Sequence, residues 1–168
     1  MSKKLAIVFL ALTMAWGKVP RPLPDIVMPM PDGKRVNIPQ FKGKVMAIML
    51  FSTTCAECVA SIDLLAKLQK QFAARGFQAL AAAVNIDAPE QIKGFVERYR
   101  PPFPTGHLGQ TELIKFADLK PLDRPYVPIF MFVDKHGTIR FQYNGDDPIM
   151  KQQEKATTAI VDSLLKAN

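Results

Sequence analysis

The chain has 168 residues, of which 48% are hydrophobic and 22% are charged, and its formal net charge is +7. This length fits one domain with a sizeable core, and the composition excludes a largely disordered chain and a multi-spanning membrane protein. Two cysteines are too few for a scaffold held together by disulfides. The basic residues are scattered, and their local groups at 34–35 and 42–44 have no interleaved aromatic residues. We therefore predict no nucleic-acid partner.

The first 17 residues have the pattern of an export signal. A basic start precedes an apolar run of about 12 residues, Leu5 to Trp16, and Ala15-Trp16-Gly17 offers a small-x-small cleavage site. A membrane-spanning helix needs roughly 20 residues, so a permanent span is the weaker interpretation. We predict a signal peptide over residues 1–17 and an exported, periplasmic protein. The alternatives are an anchor retained through residues 5–16 and a buried N-terminal helix.

Residues 18–31 contain five prolines and are predicted to form an extended, proline-rich lead-in. The turn signal Pro31–Lys34 follows, and Arg35–Ile38 alternates as a short strand would. These features predict an N-terminal β-hairpin extension. The next segment, Lys44–Phe51, is a continuous apolar run of the kind found in a strand that is buried on both faces.

Helices and strands alternate along the rest of the chain. Apolar residues recur at helical spacing from Cys55 to Ala74, and Arg75-Gly76 supplies a stop. The further predicted elements are a buried strand over Phe77–Ile86, helices over Pro89–Tyr99 and Thr111–Leu119, a hairpin of Ile129–Val133 with Thr138–Tyr143, and a closing helix over Asp147–Lys166. Prolines make loops of residues 101–104 and 121–128. This order predicts an α/β domain with a central mixed sheet flanked by helices.

Both cysteines lie in one Cys-x-x-Cys motif, Cys55 to Cys58, where the predicted strand gives way to the helix. The free N–H groups and partial positive charge at a helix N-terminus stabilise a thiolate. We therefore predict that Cys55 is the attacking thiol and that Cys58, one turn further on, resolves the mixed disulfide. Thr54 and Glu57 match a capping box, which would fix the start of the helix at the cysteines.

Other roles for the motif have less support. A structural disulfide across so short a loop would stabilise the fold by only about 2 kcal/mol on the chain-entropy model. A zinc site would need two more ligands, and the chain has no second cysteine pair and only two histidines, His107 and His136. We predict no metal and no cofactor. A scaffold that has lost redox activity is the remaining alternative.

Several segments around and beyond the motif match the pattern of a known family. They are Leu23–Asp25, Pro31–Lys34, Phe41–Lys44, Phe51–Cys58, Val84–Asp87, Phe103-Pro104, Val127-Pro128 and Phe132–Gly137. In these segments the chain resembles TlpA/ResA-like thioredoxin-fold proteins, which are related to the AhpC/TSA redoxins. The resemblance covers about residues 22–168.

The resemblance implies a thioredoxin-like fold, with the domain over residues 32–168. It also implies that the Val127–Pro128 peptide bond is cis and faces the cysteines, and that an extended substrate pairs with the backbone there. The implied activity is thiol–disulfide exchange on protein thiols and disulfides, with a membrane reductant as the donor. We predict an exported thiol–disulfide oxidoreductase that works in the reducing direction, with Thr54, Glu57, Val127 and Pro128 supporting Cys55 and Cys58. The oligomeric state is not predicted.

Several positions depart from that family's pattern, including Ala56-Glu57, where the family often has Pro between the cysteines. Thr54 replaces the usual Trp, Met49 replaces the buried acid of thioredoxins proper, and Ser61 replaces the Glu that is frequent in ResA-like members. Such an acid would accept the proton of the resolving thiol, so proton transfer here must use Glu57, water or another group, or be slow. The charge of Glu57 also opposes thiolate formation nearby, which favours a reducing couple.

Two other functions stay open at this point. A redoxin-type thiol peroxidase would require Pro seven residues before the reactive cysteine, where this chain has Ile48. A copper-binding module without exchange activity could use both cysteines and a third ligand such as Met28 or Met30. Most of the methionines fall in apolar runs, where they are typical core residues.

Overall fold

The computed structural model describes residues 19–120, 122–123 and 125–167. The predicted signal segment, residues 1–17, lies outside the described residues. Within the described part of the chain, no helix is both long enough and apolar enough to cross a membrane.

The described strands are β1 (Arg21–Pro22), β2 (Val27–Pro29), β3 (Arg35–Asn37), β4 (Val45–Phe51), β5 (Phe77–Ala83), β6 (Thr105–His107), β7 (Ile129–Val133) and β8 (Thr138–Tyr143). The α-helices are α1 (Ala56–Phe72), α2 (Ala88–Tyr99), α3 (Gln110–Ala117) and α4 (Gln153–Lys166). Short 3-10 turns occupy Ile38–Phe41, Ala73–Arg75 and Pro148–Gln152.

The main sheet has six strands in the order β1-β8-β7-β4-β5-β6. β5 is parallel to both β4 and β6, whereas β7 is antiparallel to β4 and to β8. This is the mixed sheet that the sequence predicted. The predicted N-terminal hairpin is formed by β2 and β3, in which Met28 lies opposite Val36.

Two apolar cores lie on the two faces of this sheet. Every residue of β4 is buried, and alternate residues belong to different cores. On one face, Met49 belongs to a core that is covered by α1, α2 and α4. On the other face, Ile48 belongs to a core that is covered by α3 and the β2–β3 hairpin, which we call the α3-side core. The prediction of a strand buried on both faces is therefore confirmed, and it explains the run of apolar residues without alternation.

The structure differs from the predicted elements at β1, which lies inside the predicted lead-in and pairs with β8, and in two further places. β6 was not predicted, because it has three residues, contains Gly106 and carries no apolar run. The closing helix begins at Gln153 rather than at Asp147, since Pro148 to Gln152 form a 3-10 turn. The proline-rich lead-in is extended, as expected, and it also contributes buried side chains to the α3-side core, namely Leu23, Ile26 and Met28.

Candidate active site

The Cys-x-x-Cys motif lies at the junction of β4 and α1, as predicted. After Phe51 the chain turns through residues 52–54, and the N–H of Cys55 donates to the Ser52 carbonyl at 3.2 Å. Cys55 keeps an extended backbone, with φ −91° and ψ 117°, and α1 begins at Ala56. The Cys55 thiol is thus held at the N-cap of the helix, beside N–H groups that have no partner within the helix.

The sulfur of Cys55 itself caps α1. Cys55 Sγ accepts a hydrogen bond from the N–H of Cys58 at 3.2 Å. The Thr54 hydroxyl lies 3.1 Å from the Ser52 hydroxyl, within the preceding turn. The predicted capping box of Thr54 and Glu57 is therefore wrong, because α1 begins one residue later than that box requires.

The two thiols differ in their exposure to solvent. Both cysteines are free; Cys55 is half-buried, whereas Cys58 is 0% exposed. Burial raises the pKa of the Cys58 thiol far above its ordinary value, and its hydrogen bond with Cys55 raises it further. The N–H of Ser52 acts in the opposite direction. At neutral pH Cys58 therefore keeps its proton, and the thiol that a second molecule can reach is Cys55.

Glu57 brings a carboxylate close to the reactive end of the motif. Its Oε2 lies 3.7 Å from Cys55 Sγ, and the side chain is exposed. A negative charge in the first turn of a helix interacts favourably with the helix dipole. The same carboxylate lies beside the sulfur of the predicted attacking thiol, and the sequence-based argument for a reducing couple depends on this contact.

The Val127–Pro128 peptide bond is cis, as the resemblance implied. The next residue, Ile129, pairs with Leu50 near the carboxyl end of β4. Val127 and Pro128 therefore enter β7 at the edge of the sheet where the chain leaves β4 for Cys55. Pro128 is buried, and the half-buried Val127 packs against the same core cluster as Cys55. All the predicted site residues share this edge.

In the part of the chain that the structure describes, no group of three or more His, Cys, Asp or Glu side chains is arranged to hold a metal ion. His136 is exposed in the turn between β7 and β8, at the opposite edge of the sheet. Met28, considered above as a third copper ligand, is fully buried in the α3-side core.

The comparison with known families decides between the possible relationships of this fold. The model of the redoxin family matches residues 18–160. The chain belongs to the redoxin family. A thiol-disulfide oxidoreductase ResA of Bacillus thuringiensis subsp. konkukian (strain 97-27) is 26% identical to this redoxin over 126 residues, which cover 73% of this chain and 68% of the relative.

Solved structures give the same picture. A thioredoxin-family thiol:disulfide interchange protein of Chlorobium tepidum TLS superposes with a TM-score of 0.71 at 25% identity, covering 87% of this redoxin and 97% of that chain. A putative interchange protein DsbE of Chlorobium tepidum gives a TM-score of 0.70 at 20% identity, with coverages of 86% and 99%, and supports the fold alone. The predicted TlpA/ResA-like relationship is confirmed, and the chain is a thiol–disulfide oxidoreductase by class.

Polar side chains that the sequence analysis did not assign to the site brace the turn before Cys55 in this redoxin. The N–H of Thr53 donates to Asn85 Oδ1 at 3.1 Å, and Asn85 Nδ2 donates back to Thr53 Oγ1 at 2.9 Å. Asn85 also donates to Asp87 at 2.7 Å, and Gln91 bonds both Asp87 and the Thr53 hydroxyl. The network could have been anticipated from the parallel pairing of β4 and β5, because the residues that follow two parallel strands lie at the same edge of the sheet.

A second unpredicted pair lies on the buried side of α1. Ser61, one turn beyond Cys58, is buried, and its Oγ accepts a hydrogen bond from Gln153 Nε2 at 2.8 Å. The Ser61 hydroxyl donates to the Glu57 carbonyl at 2.9 Å. Met49, at the other position where an acid was expected, is fully buried in the core. Neither position supplies a carboxylate near Cys58.

Proposed function

We propose that this redoxin is an exported enzyme that reduces disulfides in other proteins, with Cys55 as the attacking thiol and Cys58 as the resolving thiol. The observation that carries the proposal is the position of the two sulfurs. Cys55 lies at the solvent-accessible start of α1, where the Cys58 N–H donates to its sulfur, whereas Cys58 is buried behind it. A sulfur placed in this way has the stabilisation and the access that an exchange nucleophile needs.

The exchange proceeds in two balanced steps. The Cys55 thiolate attacks one sulfur of the substrate disulfide; a Cys55–substrate disulfide forms, and the other substrate sulfur leaves as a thiolate that takes up a proton. Cys58, which is buried, then passes its proton to Glu57 or to a water molecule and attacks the Cys55 sulfur. The Cys55–Cys58 disulfide forms, and the second substrate sulfur leaves as a thiolate that takes up a proton. Two electrons pass from the enzyme dithiol to the substrate, and a second dithiol must then reduce the enzyme again.

Exposed apolar side chains near the motif support a protein substrate. Ile86 is 90% exposed in the loop after β5, and Tyr126 is 61% exposed just before β7, so both lie at the edge that carries Cys55. Leu122, earlier in the segment that leads into β7, is 93% exposed. Large apolar residues gathered at one edge are typical of a surface that contacts another polypeptide. Val127 and Pro128 would line the substrate on the far side of Cys55.

The proposal extends to export, direction and donor. The signal-peptide pattern of residues 1–17 supports cleavage and a periplasmic mature protein, or an anchor through residues 5–16. The carboxylate of Glu57, 3.7 Å from Cys55 Sγ, disfavours the thiolate and hence supports a reducing couple. A membrane-bound dithiol donor is the partner that would restore the reduced enzyme.

Trapping the mixed disulfide tests the roles of the two cysteines. The reduced Cys58→Ser variant should remain covalently attached to a disulfide-containing protein, and dithiothreitol should release it, as judged by mass on non-reducing gels. The Cys55→Ser variant should form no such adduct. An adduct that forms through Cys58 in the Cys55→Ser variant would reverse the proposed roles.

Direction and export need separate measurements. We expect equilibration with glutathione to give a reduction potential closer to the thioredoxin value of about −270 mV than to the strong-oxidant value of about −120 mV. After expression of the full chain in a Gram-negative bacterium, mass spectrometry of the periplasmic fraction should find a mature N-terminus at Lys18. A full-length chain in the cytoplasmic fraction would contradict export.

A further inference from the structure

A continuous series of hydrogen bonds joins α4 to the sulfur of Cys55 through the first turn of α1. Gln153 Nε2 donates to Ser61 Oγ at 2.8 Å, and the Ser61 hydroxyl donates to the Glu57 carbonyl at 2.9 Å. The peptide unit that carries this carbonyl also carries the N–H of Cys58. That N–H donates to Cys55 Sγ at 3.2 Å. The series therefore runs without a break from Gln153 to the reactive thiol, although Gln153 lies 92 residues after Ser61 in the chain.

The peptide unit transmits polarisation because its carbonyl and its N–H are conjugated. A donor on the Glu57 oxygen draws electron density from the amide nitrogen, so the Cys58 N–H becomes a stronger donor to the sulfur. Hydrogen bonds in series strengthen one another by about 10–30% per bond. The gain is larger for an ionised acceptor than for a neutral one, so the series favours the thiolate form of Cys55.

The direction of the series depends on Gln153. The Ser61 hydroxyl has one proton, and the Gln153 amide occupies the Ser61 oxygen as a donor. The hydroxyl proton is therefore left for the Glu57 carbonyl. Ser61 is 1% exposed, so bulk water does not compete for this pair. A serine alone on a helix often bonds the carbonyl four residues back; the buried amide from α4 is what fixes the direction of this bond.

We propose that Gln153 and Ser61 are positioning residues that favour the Cys55 thiolate through the Glu57–Cys58 peptide unit. The proposal deepens the function proposed above, on which it rests for the role of Cys55 as the attacking thiol. Among the described residues, the titratable groups in contact with the Cys55 sulfur are Glu57, at 3.7 Å, and the thiol of Cys58. Asp87, on the neighbouring loop, is hydrogen-bonded to Asn85 and Gln91. All of these groups are unchanged in the variants below.

The test is the pH profile of alkylation of Cys55 in the reduced protein by iodoacetamide. Ser61→Ala removes the donor to the Glu57 carbonyl, and we expect the alkylation rate at neutral pH to fall about two- to threefold, with the whole profile moving to higher pH. Gln153→Met removes the amide donor without adding a charge, so the Ser61 oxygen loses the hydrogen bond that fixes the direction of its own proton. This variant should shift the profile in the same direction.

Thr157→Val is the matched control. Thr157 is also buried on α4, and its hydroxyl bonds the backbone carbonyl of Gln153 at 2.8 Å, but it does not belong to the series. Its substitution should leave the profile unchanged. The proposal is overturned if the profile is unchanged in both Ser61→Ala and Gln153→Met, or if Thr157→Val shifts it equally. The pair would then serve only to hold α4 against α1.

Urea unfolding checks that each variant folds. If Ser61→Ala does not fold, the substitution at Gln153 still tests the proposal, because this side chain is only half-buried. Alkylation needs no substrate, so the two proposals fail separately. If the alkylation profiles of the variants match that of the wild type, the positioning role is refuted. If no Cys55–substrate adduct forms, the proposed function is refuted.

Discussion

The carbonyl oxygen of Pro29 lies against Gly106, so that a side chain on residue 106 would overlap it. A Cβ atom there would also lie 2.8 Å from Met28 Cγ. The glycine thus permits the close approach of the β2–β3 hairpin to β6, where both backbones are held by neighbouring structure.

Gly106→Ala should therefore destabilise the protein by about 2 kcal/mol or more, because backbone rather than a flexible side chain must move. The measurement is urea unfolding of the reduced protein. Gly94→Ala in α2 is the matched control, since a Cβ there meets nothing within 4 Å. In a helix interior this control should stabilise by roughly 0.5–1 kcal/mol. Equal effects of the same sign at both glycines would contradict the packing argument.

Asn85→Ala should loosen the turn that presents Cys55. It removes both hydrogen bonds that join Asn85 to Thr53 and leaves the half-buried Thr53 N–H without its acceptor. The expected loss in the free energy of unfolding is about 1–3 kcal/mol. Asn37→Ala, in which the side chain caps nothing, should stay within about 0.5 kcal/mol of the wild type. A loss at Asn85 no larger than at Asn37 would argue against the brace.

Ile86→Ser should weaken the reaction with protein disulfides without weakening the fold. The side chain is 90% exposed, so its removal costs little in the free protein. If a protein substrate covers the Ile86 side chain, the KM for a disulfide-containing protein should rise about three- to tenfold in the variant. The rate with a small disulfide such as oxidised glutathione should not change. Val27→Ser, at an exposed apolar residue of the hairpin, is the control, and an equal rise in KM there would refute a specific contact.

The stability of the reduced protein should fall as pH rises above about 9. The ordinary pKa of a Cys58 thiol is 9.0, and burial raises it in the folded state. Above pH 9 the unfolded chain therefore releases this proton while the folded chain retains it, and unfolding becomes more favourable by at most about 1.4 kcal/mol per pH unit.

The measurement is the urea midpoint of the reduced protein at about pH 8 and at about pH 10, for the wild type and for Cys58→Ala. Because the variant lacks only the Cys58 thiol, the difference between the two proteins isolates this effect from the titration of other groups. The wild type should lose stability more steeply than the variant. Parallel slopes would mean that Cys58 is no harder to ionise in the folded protein.

The elements that the sequence predicted best are those whose pattern reflects their own packing. The apolar run of β4 and the helical spacing of α1 each report burial directly, and both elements have the predicted type with bounds that differ by one or two residues. β6 was missed because its pairing with β5 and not its composition makes it a strand. A three-residue strand with a central glycine has no pattern of its own.

The site was predicted in part for the same reason. The Cys-x-x-Cys motif and the residues beside it are adjacent in sequence, so their placement at the start of α1 could be inferred. The Ser61–Gln153 pair spans 92 residues, and it forms only when α4 has packed on α1. The cap at Cys55 also escaped prediction, because capping preferences favour oxygen acceptors and do not anticipate a thiol sulfur.

The two outer strands of the main sheet bear on the solubility of the protein. β1 has two residues, the second of which, Pro22, has no N–H to offer, and β6 has three residues and follows Pro104. Short strands with prolines at their ends give an incoming chain little ladder to extend. The protein substrates proposed above would bring extended segments close to this sheet, and its short outer strands offer such segments few backbone groups with which to pair.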